Sequence, residues 1–455
     1  MHVAIVGGGP GGLMTGYLLR KLANRPFQLS LFESSERLGG KVITPRFSQL
    51  PVSYEAGAAE FYDYSPIDED PLRQLVAELG LSTTPMGGNS VFLSGQRYAT
   101  LEDIELGLGA SVQQGLLEFH ERAWGRMSAR EFYESDNSEA LDRSAEAASH
   151  AGFLRFESER RRLTSLPLRT FLETLIHSDL AAEWDQTSVD YGLQNYLMND
   201  PRYMRLYSIA GGNEQLIERL ADGTAMDLCL QQRVLSVEGV SGGRLRLRIA
   251  FADEISERDF DTVVLCLPML ALAAVEFRGE RLRGAMQRHC QHQDHPADYL
   301  RVTLLFRRQF WQSWLVDSWC MLDAWGGCCL YDETARQPDA GYGILGWLFG
   351  GAAAIELNAL TDEQLIQVAL RTLPRDEELA RELQLEGRVH RWIGAVSAMP
   401  GGEQPTRLDL RHQPEPVDHS GLFVVGDYLF DSTLNGVLDS AACVAGWVAA
   451  ELERP

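Results

Sequence analysis

A chain of 455 residues with 45% hydrophobic content is long enough for a sizeable core and about two domains. Its 64 acidic side chains outnumber 41 basic ones, and a net charge of −23 argues against nucleic acid and anionic membrane as partners. The cysteines at 229, 266, 290, 320, 328, 329 and 443 form neither a CxxC pair nor a metal-ligand spacing, so reduced thiols, no metal and a cytoplasmic home are expected. No basic segment precedes the first apolar run and no run reaches membrane-spanning length, which supports the same expectation.

HVAIVG at the start is a short apolar run closed by glycines and reads as a buried parallel strand. GGLMTGYLLRKLAN follows with helical spacing of Leu13, Tyr17, Leu18 and Leu22, and QLSLFES is a second strand ending at Glu33. Together they make a β-α-β unit of about 30 residues. Residues 66 to 207 read as mostly helical, and their charged stretch 128–150 reads as a solvated face. GGNEQLIERLA opens a helix; QRVLSVEGV, RLRLRIAF and DTVVLCLP are predicted strands, as are RVTLLFRRQFW and YGILGWLFG. LTDEQLIQVALRTL is an amphipathic helix capped by Thr361. LFVVGDYLF is a strand running into a loop, and NGVLDSAACVAGWVAAEL is a final helix.

Gly7, Gly9 and Gly12 stand in GxGxxG spacing between the first strand and the first helix, the context that gives such glycines meaning. Gly7 permits the tight turn, Gly9 the approach of a pyrophosphate, and Gly12 close helix–strand packing. The helix N-terminus offers unpaired N–H groups to the phosphates. Glu33 can accept from both ribose hydroxyls, which argues against a 2′-phosphate and hence against NADP.

The next segment, ESSERLGGKVIT, carries Glu33, Arg37, Gly39, Gly40, Lys41 and Thr44, and here the chain resembles the flavin-dependent amine oxidase family. Further segments share the resemblance: EAGAAEF, IAGGNEQLIERLA, RVLSVE, DTVVLCLP, FRRQFW and the C-terminal LFVVGDYLFDSTLNGVLDSAACVAGWVAAEL. It implies FAD rather than NAD, with Arg37, Gly40 and Lys41 near the pyrophosphate and Gly57 and Ala58 beside the flavin. It further implies that Val234 meets adenine through its backbone and that Gly426 and Asp427 bind the ribitol–pyrophosphate region. The backbone N–H near Val437 would stabilise charge on the reduced cofactor. The expected fold is α/β: a discontinuous Rossmann-like FAD domain (1–85, 208–270 and 388–455) with an inserted α+β substrate domain (86–207 and 271–387).

Departures from the family pattern mark the substrate side. The family places a lysine ten residues before the strand's tryptophan; counting back from Trp311 gives Arg301. Lys21 and Lys41 are the only lysines, so Arg301 is expected to replace it, as a fixed cation near the flavin or a carboxylate clamp. Glu60 stands where amino-acid oxidases carry an arginine, and would repel a substrate carboxylate and attract a second cation. Trp392 fits the family's tryptophan ahead of the aromatic cage, but Thr433 and the region of Gly402 leave that cage incomplete. No cysteine lies between 393 and 402, so FAD is expected to be noncovalent. Arg301 and Trp392 are the expected catalytic residues, and Glu60, Tyr62 and Trp347 the expected substrate contacts. The expected partners are an amine or amino acid and O2 or another electron acceptor, with a homodimer left open. A protoporphyrinogen-oxidase-like desaturase or a redox-neutral flavoenzyme is the alternative.

Overall fold

The computed structural model describes residues 1–88, 90–126, 155–336, 341–398, 408–430 and 432–453. The charged stretch 128–150 and Gly402 lie outside them. A five-stranded parallel sheet runs in the order Leu422–Val424, Thr262–Leu265, His2–Val6, Gln28–Phe32, Asp227–Cys229. Alternation along its central strand sorts the core into two layers. Val3 and Ile5 pack with Leu13 and Leu19 of helix Pro10–Leu22 and with Val444 and Val448 of helix Leu434–Leu452. Ala4 and Val6 turn the other way, onto Val237, Leu247 and Phe260 of a four-stranded sheet. Thr433 starts the final helix by accepting a hydrogen bond from Gly436 N–H at 3.1 Å, which is what Thr at that position does instead of building a cage.

The second body is a seven-stranded sheet in the order Gln384–Ser397, Pro296–Phe306, Gly343–Gly350, Cys328–Asp332, Trp319–Leu322, Ser90–Leu93, Gln96–Tyr98. One face of Pro296–Phe306 presents Leu300, Val302, Leu304 and Phe306 to a core with Trp311, Trp347 and Phe349. Arg301 lies on the opposite face. A small fourth sheet, Phe61–Asp63, Arg205–Ile209 and Thr83–Met86, carries Tyr62.

Two expected domain boundaries move. Gln384–Ser397 pairs along Pro296–Phe306, so a cut at 388 would split a strand of the seven-stranded sheet. Glu276–Arg278 pairs with Gln232–Gly239, and Leu282 and Met286 of helix Glu280–Gln293 pack into the core shared with Ala4 and Val6, so that piece extends past 270. The first helices of 66–207 stand as expected, but three short strands between 83 and 98 interrupt them. No disulfide links any of the seven cysteines. No helix among the described residues is long and apolar enough to cross a membrane.

Candidate active site

The glycine loop separates packing glycines from an open one. A Cβ at Gly7 would fall 2.3 Å from Cys266 O, and one at Gly12 would fall 2.0 Å from Gly7 O. At Gly9 the nearest protein atom would be Gly40 Cα, at 3.9 Å. Gly9 is therefore glycine for the sake of a cradle that a side chain would fill. The helix behind it begins with Pro10, has no side-chain cap, and makes its first intrahelical bond at Leu13 N–H. The N–H groups of Gly11 and Gly12 thus have no intrahelical partner, the arrangement suited to a pyrophosphate.

Glu33 closes the second strand and holds this loop: Oε2 accepts from Gly8 N–H and Oε1 from Ser35 N–H, both at 2.8 Å. Arg37 folds over its own loop, donating to the carbonyls of Leu38 and Gly40. Lys41 reaches the C-terminal segment, hydrogen-bonding Ala395 O and standing 4.0 Å from Asp427. Gly57 packs so closely on Lys41 O that a Cβ there would lie 1.8 Å from it, and Gly426 packs on the Tyr428 ring. Val234 lies in the four-stranded sheet, in a core shared with Val6 and Phe32. One expectation is corrected: Val437 N–H donates to Thr433 O, so the unpaired donors of that first turn are at Leu434 and Asn435. Open cradle, helix terminus, acid and lysine together fit a dinucleotide such as FAD.

The segment 55–60 is clamped from every side. Ala56 N–H donates to Ile43 O and Ala58 N–H to Lys41 O. Ala56 O accepts from the Trp392 indole at 2.7 Å, Ala58 O from Asn213 at 2.9 Å, and Ala59 O from Arg336 at 2.7 Å. Glu55 N–H donates to Glu333 Oε2 at 3.0 Å. Trp392 therefore positions this backbone.

Arg301 is buried, and its Nη2 donates to Glu333 Oε1 at 2.6 Å. Burial alone would push its pKa down, but Glu333 and Tyr331 hold it above the ordinary value. A Cβ at Gly346 would lie 2.7 Å from that same Glu333 oxygen, so the ion pair occupies the space of a missing side chain. Arg336 pairs with Glu55 at 3.1 Å. Burial pushes the Glu55 carboxyl up to about 7 despite Arg336. Glu60 Oε1 accepts from the Tyr331 hydroxyl at 2.9 Å, and burial raises this carboxyl too, against the pull of Arg301. Asp179 is pushed up to about 8 by burial and then by Glu60.

Arg301, Glu60 and Tyr62 thus come together as expected, with Trp392 beside the clamp. Trp347 does not join them. It pairs with Val302 rather than Arg301, lies in the core on the far face, and donates its indole N–H to Thr372 at 2.9 Å. The residues not anticipated are Glu55, Asp179, Tyr331, Glu333 and Arg336. Glu333 extends the Cys329–Tyr331 parity of its strand, a signal the sequence held; Asp179 sits on the distant helix Leu166–Leu180, with no local signal.

A family model described as flavin containing amine oxidoreductase matches residues 10–448. Cyclohexylamine oxidase from Brevibacterium oxydans IH-35A superposes with a TM-score of 0.75 at 18% identity, covering 100% of this chain and 99% of its own. Wild-type putrescine oxidase bound to putrescine superposes with a TM-score of 0.70 at 18% identity, covering 99% and 98%. Prenylcysteine oxidase 1 from Rattus norvegicus is 35% identical over 89 residues, which is 20% of this chain and 16% of that relative's length.

Proposed function

Because this chain belongs to the flavin-containing amine oxidoreductases, we propose that it holds FAD noncovalently and oxidises a small-molecule amine or amino acid. Bound FAD would take two electrons as hydride from the carbon bearing nitrogen, leaving an imine that water hydrolyses. The observation that carries this reading is the buried wall on which Glu55, Glu60, Glu333 and Asp179 outnumber Arg301 and Arg336. Each arginine is already paired with a carboxylate, and the raised carboxyls of Glu60 and Asp179 can give up their protons to an incoming cation, so the wall favours an amine over a substrate carboxylate. Gly9, the first-helix N–H groups and Lys41 would hold the pyrophosphate, and Glu33 the ribose. Arg301 keeps its proton and its place, and Trp392 fixes the backbone at Ala56. Orientation and exclusion of water carry more of the chemistry than a strong base. The electron acceptor is O2 or another oxidant.

Purified protein should be yellow with a flavin spectrum, and denaturation should release FAD. Anaerobic addition of amines should bleach it. Bleaching by an alkane-to-alkene substrate and by no amine or amino acid would sink the reading.

A further inference from the structure

We propose that Glu60 and Asp179 form a subsite for an ammonium group, so that the substrate is a diamine or an amine bearing a second cation; this rests on the amine reading above. Both carboxylates line one cavity, with Tyr62, Tyr331, Met198 and Met321 among its other walls. Its volume, about 20 Å³, has room for about one water-sized group, the size of an ammonium. Glu60 Oε1 is engaged by Tyr331, but Oε2 is shut off from solvent and has no hydrogen-bond partner. A buried carboxylate oxygen without a partner is costly, and protonating it would still leave a donor with nothing to bond. Asp179 accepts one long bond, from Asn199 at 3.3 Å.

The terminal nitrogens of the nearby guanidinium groups point to other partners, while the Nε of both Arg301 and Arg336 is buried without one. Arg301 is held by Glu333 at 2.6 Å, and Arg336 by Glu55 at 3.1 Å and Ala59 O at 2.7 Å. What the cavity lacks is a compact donor with several N–H groups. An ammonium carries three, enough for Glu60 Oε2 and Asp179 together. The flexible thioethers of Met198 and Met321 suit the methylene chain that would bring it there.

The test uses dithionite-reduced holoenzyme, which cannot turn ligand over. Linear diamines of three to eight carbons are titrated calorimetrically beside alkylamines in which a methyl replaces the far amino group. The best diamine should bind at least about tenfold tighter than its match. Glu60→Gln and Asp179→Asn should each erase that preference while flavin content stays unchanged; should one variant lose flavin, the other decides. No preference in the parent protein, or a preference that survives both substitutions, overturns the subsite. A preference of this kind without bleaching of the oxidised enzyme by the same diamine would leave the subsite standing and remove the oxidation reading.

Discussion

Glu333→Gln tests the frame of the site most directly. The substitution keeps shape and removes one charge from a pair whose side chains are 1% and 2% exposed. Solvent therefore screens little of the loss. Gln can still accept one hydrogen bond, but its NH2 then faces either Arg301 or Glu55 N–H, donor against donor. Leaving a buried guanidinium uncompensated costs about 3–5 kcal/mol. At about 2.1 cal/mol/K per residue, 455 residues unfolding as one unit carry an entropy of about 1 kcal/mol/K, so Tm should fall by about 3–5 °C. Arg301→Met should do comparable damage alone. The double variant, with neither member of this pair left charged, should lose clearly less than the two singles combined. Differential scanning of the four holoproteins reads all of this. A fall under about 1 °C for Glu333→Gln, or losses that simply add, would show that the pair is not coupled as the geometry requires.

Gly9→Ala and Gly12→Ala should separate two kinds of glycine. The second drives a Cβ to 2.0 Å from Gly7 O and should lower Tm or soluble yield; the first meets nothing nearer than 3.9 Å and should fold but lose flavin, read as absorbance near 450 nm per protein. Equal effects of both on Tm would remove the distinction. Asp179 binds its proton more tightly folded, at about 8 against 3.8, so its contribution is fully present below 3.8 and is lost as pH rises towards 8. Measured without amine, Asp179→Asn should thus gain in Tm over the parent from about pH 5 to 8; a flat difference would mean that Asp179 titrates like an exposed carboxyl. Trp392→Phe leaves Ala56 O without its donor, at a cost of about 1–3 kcal/mol. Turnover should fall more than flavin content, and unchanged turnover would place Trp392 outside the positioning of this segment.

The first β-α-β unit was legible because its signals are local. Apolar runs, spaced glycines and the acid at Glu33 all lie within the first β-α-β unit, and the structure keeps each where the spacing put it. Strand Glu254–Phe260 escaped notice because EISERDF is charged and largely exposed; it exists by pairing with Leu245–Phe251. Gln384–Ser397 likewise depends on a partner some 90 residues earlier in the chain, a pairing local propensity cannot reveal. The substrate side shows the same limit. Trp347 shares a face with Leu345 and Phe349, and which face that is depends on its register with Val302. Arg301 could be located by counting, but its partner Glu333 could not, since a sheet had to be assembled first.

Gly346 gives the seven-stranded sheet a memory of its ion pair. Any side chain there collides with Glu333, and Arg301 Nη2 stands 3.1 Å from the same point. Positions 301, 333 and 346 are therefore coupled: alanine at 346 pushes the Glu333 carboxylate out of its place beside Arg301 while the pair persists, and becomes a cavity-filling change once both charges are gone. Among diverging copies of this chain, the glycine should therefore disappear more readily in lineages that have already given up both the arginine and the glutamate.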